Sequence, residues 1–283
     1  ECVPLVFVRP FAYSLAHLEA ARKVGATGFL PRTTPEECLV DDAAAHLLHT
    51  VGTRVPLSRA FHRVAKANGV SLPQGLFAGL TADLNLIASA PHLLPRWLEM
   101  PDGHQVVGPV YANLPGEVPE FVTDLAAGPK PLVYFAVGSS GNRDLVLDVL
   151  RGLGRADCQV LAPVRSHLHQ EDLETLPLNV HVTDWIPTHQ LGDAVDLAIT
   201  HGGEGTVQTS CVQGWPFIGI PLQFEQRFNV QRCVAFGSAR LVSQKEARRA
   251  DWAALVREAL ADDVMRSRAR RMAELMKGLD GPG

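Results

Sequence analysis

Short apolar segments alternate with helical stretches through the second half of this chain, and this alternation constrains its fold more than any other feature. Apolar strands separated by helices form a parallel sheet that helices cover on both faces. Ligands of such sheets bind beyond the carboxyl ends of the strands. We therefore predict an α/β fold. The strands are expected at residues 132–138, 158–162, 180–182, 195–200, 217–220 and 239–242.

The first half of the chain also contains strand and helix patterns. An apolar run at residues 3–8 predicts a strand, and the helical spacing over 13–24 predicts a helix after it. Residues 41–70 are predicted to be mostly helical, while 83–89 and 105–107 have the character of short strands. This half is thus predicted to be a second α/β region.

A proline-rich stretch separates the two halves. Five prolines fall between residues 109 and 131, where apolar periodicity is weak. This composition is typical of a linker rather than of a packed element. We predict an N-terminal domain over residues 1–112, a linker over 113–130 and a C-terminal domain over 131–283.

Composition excludes several classes of partner. A chain of 283 residues with 46% apolar content can fill real cores, and its net charge of −4 offers no basic face for nucleic acid. Any phosphate bound here is therefore expected on a small molecule. The apolar runs are shorter than the ~18 residues of a membrane span, and no leader opens the chain. We expect a soluble cytoplasmic protein, with further residues upstream of Glu1 because the sequence does not begin with Met.

The titratable residues do not suggest a metal site. Five scattered cysteines without a close pair indicate a reducing compartment and argue against zinc or a disulfide framework. Several histidines lie close in sequence but lack carboxylate or thiolate partners, so we interpret them as surface or core residues. They are His46, His49, His62, His167 and His169.

The loop from His201 to Thr206 follows the apolar run 195–200 and has the character of an anion site. Its glycines, Gly202, Gly203 and Gly205, let backbone N–H groups approach a ligand closely. A helix that starts near Thr206 would turn its unsatisfied amides and positive dipole end toward the same point. Phosphate or pyrophosphate is the expected ligand, although an ordinary strand-to-helix turn has the same composition.

Two other loops follow predicted strands of the same sheet. Ser139 and Ser140, after the first strand, offer hydroxyl donors to a phosphate, and Trp185, after the third, offers a flat apolar face to a nucleobase. Each has an ordinary structural explanation by itself, as a turn serine or a packed tryptophan. Their placement at successive strand ends is what favours one shared ligand.

These motifs resemble the donor signature of nucleotide-sugar glycosyltransferases with the GT-B fold, of the bacterial type that decorates natural products such as macrolides and antibiotics. The resemblance is most specific over residues 183–230 and weaker across 60–283. The segments that carry it are Trp185-Ile186-Pro187, Thr200 to Thr206, Gly214-Trp215-Pro216, Pro221 and Glu225 to Asn229.

The resemblance implies two Rossmann-like domains, of which the N-terminal, acceptor-side one is incomplete here. It implies inverting transfer of a sugar from a UDP- or dTDP-sugar to an apolar small-molecule acceptor, without a metal. Trp185 would contact the base, with Ile186 supplying backbone groups to the base edge. The remaining implied contacts are His201 and Thr206 on the phosphates and Glu225 with Gln226 on sugar hydroxyls.

The sequence departs from the family in three places. Gln208 and Thr209 stand where a ribose-binding glutamate is usual, and Glu225 replaces a more usual aspartate. The family's catalytic histidine, on a glycine-rich first loop, has no counterpart. His17 is the one histidine near the start and lies in a predicted helix, so the general base is left unidentified.

Other functions fit parts of the pattern. A nucleotide-sugar-binding protein without catalysis, or one that depends on a partner, needs no general base. A nucleotide-sugar epimerase would use Glu225 or another carboxylate on the sugar ring. An NAD-dependent dehydrogenase fits less well, because the loop from Gly138 to Gly141 lacks a third glycine at the required spacing.

Overall fold

The computed structural model describes residues 4–24, 35–72, 75, 80, 82–95, 98–111 and 115–279. These residues form two compact units, one extending to Val110 and the other from Tyr111 to Leu279. Among the residues so described, no helix is long and apolar enough to cross a membrane.

The first unit is built on a parallel sheet of three strands in the order β1-β2-β3. Phe7 pairs with Asn85, which in turn pairs with His104. All of the strands and helices predicted for this half are found, with ends that differ by a few residues. They are β1 (Val6–Arg9), α1 (Leu15–Val24), α2 (Pro35–Arg54), α3 (Arg59–Ala67), β2 (Leu84–Ile87) and β3 (His104–Val106).

The second unit contains a parallel sheet of six strands in the order β6-β5-β4-β7-β8-β9. The chain runs outward from β4 to β6 and then returns to place β7 on the other side of β4. Ligands of open α/β sheets bind at such a switch point. All six predicted strands are confirmed: β4 (Leu132–Ala136), β5 (Gln159–Ala162), β6 (Val180–Val182), β7 (Leu197–Thr200), β8 (Phe217–Gly219) and β9 (Ala239–Leu241).

Helices connect these strands and cover the sheet. Buried apolar residues of β4, β5 and β7 form one core with residues of α5 and α10, including the fully buried Phe135 and Trp252. Gly152 admits the indole of Trp252, because a Cβ atom there would lie 2.4 Å from Cδ1. The helices are α4 (Glu120–Ala127), α5 (Arg143–Leu153), α6 (Gln170–Leu173), α7 (Glu204–Gln213), α8 (Phe224–Phe236), α9 (Gln244–Ala247), α10 (Trp252–Leu260) and α11 (Asp263–Met276).

The predicted linker needs one correction. Helix α4 lies within residues 113–130, and its Val122 is only 1% exposed. Pro119 precedes the helix as its N-cap and Gly128 ends it, so the prolines flank this packed element instead of interrupting it. Eight residues were too few to give a clear helical period between so many prolines.

Candidate functional site

Two loops leave the sheet side by side at the switch point. Ala136, at the end of β4, pairs with Thr200, at the end of β7. The next residue, His201, donates its backbone N–H to the carbonyl of Ala136 at 3.3 Å. The loop that starts at Gly138 and the loop that starts at His201 are therefore fixed beside each other by strand pairing.

The imidazole of His201 lies in a space that glycines leave open. A Cβ atom on Gly138 would lie 2.8 Å from Cε1 and Nε2 of this ring, and one on Gly203 would lie 2.4 Å from Nε2. The residue is 6% exposed, and its Nδ1 is buried without a hydrogen-bond partner in the described part of the protein. A buried polar atom without a partner costs free energy, which a ligand can recover.

Burial lowers the pKa of His201 below its ordinary value of 6.5. The backbone of Ala136 and the carboxylate of Glu225 act in the opposite direction, and the charge of His167 lowers the pKa further. The ring is therefore mainly neutral at neutral pH, with one N–H to donate. An incoming diphosphate would favour the charged form.

Helix α7 presents an open N-terminus at the same point. Gly203 is its N-cap and supplies no capping side chain, and the first helical hydrogen bond runs from Val207 N to Gly203 O at 3.0 Å. The amides of Gly205 and Thr206, in the first turn, have no carbonyl partner within the helix. Gly205 is exposed, with no atom within 4 Å of a Cβ position, so an anion has room to approach.

Helix α8 packs against the loop from His201 to Thr206, called here the histidine loop. Gly202 adopts a left-handed conformation with φ of 84°, and a Cβ atom there would lie 2.7 Å from the carbonyl oxygen of Gln226. Asn229, which is 5% exposed, donates from Nδ2 to the carbonyl of Gly202 at 3.1 Å. No sequence pattern assigns Asn229 a separate role, and only this contact across the fold reveals one.

The side chain of Gln226 connects α8 to the loop from Gly138 to Gly141, called here the serine loop. Its Oε1 accepts from the backbone N–H groups of Leu222 and Gln223 at 2.9 and 3.1 Å, and its Nε2 donates to Ser140 Oγ at 3.0 Å. Gln226 is 2% exposed, whereas Glu225 is half-buried. Of the two residues predicted to contact sugar hydroxyls, Glu225 is the more accessible one.

The two predicted serines differ in environment. Ser139 is exposed, while Ser140 accepts hydrogen bonds from Gln226 and, at 3.3 Å, from Gln223 Nε2. Because these bonds use the lone pairs of Ser140, its own hydroxyl hydrogen can still be donated to a ligand. Ser140, Gln226 and the His201 loop thus belong to one cluster.

Trp185 and Ile186 lie on a different loop, after the edge strand β6. In the sheet order β6 is three strands from β7, a separation of about 14 Å at the usual strand spacing. Trp185 is 52% exposed and Ile186 is 2% exposed. The indole edge lies beside Gly116, where a Cβ atom would be 3.1 Å from Cζ3, and Gly116 is itself held by Gln190 Nε2 at 2.9 Å.

Two residues replace the ribose-binding glutamate that is usual in the family, and both form hydrogen bonds within α7. Gln208 is 2% exposed and donates from Nε2 to Glu204 Oε1 at 2.8 Å. Thr209 Oγ1 donates to the carbonyl of Gly205 at 2.9 Å. Both contacts hold the helix itself.

His17, the histidine considered as a general base, lies inside the first unit, on the predicted helix α1. It is 1% exposed, and its ring meets Phe11 edge-on with centroids 5.3 Å apart. Burial lowers the pKa of His17 to about 4. These properties are typical of a histidine that packs in a core, so they do not favour His17 as a base acting on an acceptor.

The described cysteines are free and buried. Cys158, Cys211 and Cys233 form no disulfide, although the sulfurs of the last two lie 3.8 Å apart. Burial raises the pKa of Cys158 to about 11, which makes its thiol a poor nucleophile. In the described ranges no three His, Cys, Asp or Glu side chains lie together in a way that could hold a metal ion.

Comparison with known proteins identifies a matching family and several relatives. Residues 147–282 match the family described as "Erythromycin biosynthesis protein CIII-like, C-terminal domain". A "PGL/p-HBAD biosynthesis glycosyltransferase" of Mycobacterium tuberculosis is 29% identical over 192 residues, which are 68% of this chain and 44% of that protein. A "4'-demethylrebeccamycin synthase" of Lentzea aerocolonigenes is 31% identical over 221 residues, which are 72% of this chain and 50% of that protein. The chain thus spans half or less of the length of these two relatives.

A solved structure shares the fold. The glycosyltransferase VinC, crystallised in complex with dTDP, matches 78% of this chain and 54% of its own with a TM-score of 0.60 and 18% identity. This likeness confirms the predicted GT-B fold. Residues 147–282 thus match the C-terminal domain of the erythromycin biosynthesis protein CIII-like family, and the homologues of this chain are glycosyltransferases.

Proposed function

We propose that this chain binds a nucleoside diphosphate sugar, linked to UDP or dTDP, at the carboxyl edge of the second sheet. We propose further that the sugar passes with inversion to an apolar small-molecule acceptor, for which residues 1–112 supply the acceptor side. One observation carries the proposal: the ring of His201, whose buried Nδ1 has no hydrogen-bond partner among the described residues, lies beside Gly203, the N-cap of α7. The names of two relatives, a glycosyltransferase and a 4'-demethylrebeccamycin synthase, support transfer as the reaction.

In the proposed reaction an acceptor oxygen attacks the anomeric carbon. The bond from that carbon to the diphosphate oxygen breaks, and the diphosphate leaves with the electron pair. The amides of Gly205 and Thr206, the ring N–H of His201 and the hydroxyl of Ser140 would stabilise the charge that develops on it. These donors take the role that a metal ion has in other transferases, so the proposal requires no metal. The acceptor proton goes to a base that remains to be identified.

The other roles follow the same order along the donor. Trp185 would stack on the base and Ile186 would offer backbone groups to the base edge, while Ser139, Gly203, Gly205 and Thr206 would line the phosphates. Glu225 would bind sugar hydroxyls. Gln226 would do so only by exchanging its bond to Ser140, because its amide is otherwise engaged.

Calorimetric titration with dTDP and UDP tests the donor site. We expect the protein to bind at least one of them, and His201→Ala to weaken binding by about 10- to 100-fold, as for a lost hydrogen bond to a charged group. His169→Ala is the matched control, because this exposed histidine lies outside the proposed site. Folded protein that binds neither nucleotide, or equal affinity in His201→Ala, contradicts the proposal.

A second candidate is a donor-binding protein that does not catalyse transfer by itself. The burial of His17 favours it, because the one histidine considered as a base is 1% exposed. Incubation with UDP- and dTDP-sugars and a panel of phenolic and macrolide acceptors separates the two functions. Turnover by this chain alone excludes the non-catalytic function, and an altered free sugar formed without acceptor would indicate an epimerase instead.

A further inference from the structure

A second histidine lies beside His201 at the switch point. His167 closes a short 3-10 turn, Arg165–His167, after β5, the strand adjacent to β4. Its Nε2 lies 2.7 Å from the carbonyl oxygen of Gly138. Because a carbonyl only accepts, Nε2 carries the hydrogen and donates it. The sequence alone favours a surface or core residue at position 167, whereas this contact places His167 against the carbonyl of Gly138.

The imidazole of His167 lies against both ends of the serine loop. Besides its bond to Gly138, its Cε1 would be 3.3 Å from a Cβ atom on Gly141. Gly138 and Gly141 enclose Ser139 and Ser140. The ring therefore contacts the loop that offers these two hydroxyls, while it is itself half-buried.

Gly138 connects His167 to His201. It adopts a left-handed conformation with φ of 51°, and its Cα lies so close to His201 that a Cβ atom would be 2.8 Å from the ring. A glycine peptide rotates easily when its carbonyl has no partner. The bond from His167 removes this freedom. The charge of His167 also lowers the pKa of His201.

We propose that His167 is a positioning residue of the donor site: its Nε2–H fixes the Gly138 carbonyl, and the Gly138 backbone then fixes the ring of His201. The inference rests on the proposed function, because that function makes the His201 ring a ligand of the donor diphosphate. His167 acts through Gly138 and needs no contact with the ligand. The bond requires a donor at one particular atom, so a side chain with a donor at the same reach will replace it.

Two substitutions test the hydrogen bond. His167→Gln places an amide Nε2 at about the position of the imidazole Nε2, whereas His167→Leu fills similar space without a donor. We expect His167→Leu to weaken dTDP or UDP binding about 10-fold and His167→Gln to stay within about 3-fold of the original affinity. His169→Leu, an exposed histidine on the same segment, is the control and should leave binding unchanged.

An NMR measurement without ligand makes the test independent of nucleotide binding. In protein labelled at histidine, the ring resonances of His201 should shift in His167→Leu and return close to their original positions in His167→Gln. Unchanged His201 resonances in His167→Leu, or an equal loss of affinity in both folded variants, overturns the inference. If the original protein binds neither dTDP nor UDP, the proposed function fails, while the His201 resonances still decide whether His167 positions the ring.

Discussion

Each unit of the protein buries one histidine almost completely, and the surroundings of the two differ. His17 lies within a helix against the ring of Phe11, while His201 follows a strand end and lies between two glycines beside an open helix N-terminus. Burial lowers the pKa of both. The comparison teaches that burial alone does not distinguish a binding histidine from a packing one. The distinction comes from what surrounds the ring.

Acid should destabilise the protein through protonation of the buried His17. Its pKa is about 4 in the folded protein and 6.5 when unperturbed. The stabilising contribution of the neutral ring is therefore complete above pH 6.5 and is lost as the pH falls toward 4, by up to about 3 kcal/mol. We expect the free energy of unfolding, from urea titrations at pH 7 and 4, to fall by that much more in the original protein than in His17→Phe. Equal losses in the two proteins would show that His17 carries no such role.

The glycines around His201 should matter for binding rather than for folding. In Gly203→Ala the new Cβ would meet Nε2 of His201 at 2.4 Å, so the ring must move, and we expect dTDP or UDP affinity to fall about 100-fold. Gly205→Ala is the matched variant, since its Cβ meets open space, and its loss should be much smaller. Titration calorimetry with melting temperatures as a control measures both. Similar nucleotide affinities in the two variants would contradict the proposal that the position of the His201 ring determines binding.

Helices α5 and α7 both start at this edge of the sheet, but the N-terminus of α5 has a side-chain cap and that of α7 does not. Asn142 Oδ1 accepts from Leu145 N at 3.0 Å, so an anion is not needed there. Asn142→Ala should lower the free energy of unfolding by about 1 kcal/mol, a usual value for a lost cap. Nucleotide affinity should stay within about twofold. A large loss of affinity would mean that the open end of α7 is not the only helix end in use.

Much of the fold could be predicted from local sequence. All six strands of the second sheet were predicted. The central strands β4, β7 and β8 are buried throughout and are therefore almost entirely apolar, while the edge strands β6 and β9 contain His181 and Arg240. The histidine loop was predicted as well, since its glycines directly follow such a run. Helix α4 was missed because only its eight residues carry its signal, between prolines that resemble a linker.

Fewer contacts of the candidate site could be predicted from the sequence. The bond between Gln226 and Ser140 joins residues 86 positions apart, and that between His167 and Gly138 joins residues 29 apart. Neither leaves a periodic trace in the sequence. His167 had no recognisable signal beyond its place after a predicted strand.

The sequence by itself determined that strands alternate with helices and that glycine loops follow two of the strands, because both depend on the residues within each segment. The tertiary structure alone decided which side chains meet at the strand ends. Among the described residues it gives Nδ1 of His201 no hydrogen-bond partner, it engages the amide of Gln226 with Ser140, and it places His167 against the carbonyl of Gly138. The physical reason is that the parallel pairing of β4 with β5 and β7 brings distant segments to one edge of the sheet, and no local pattern encodes that contact.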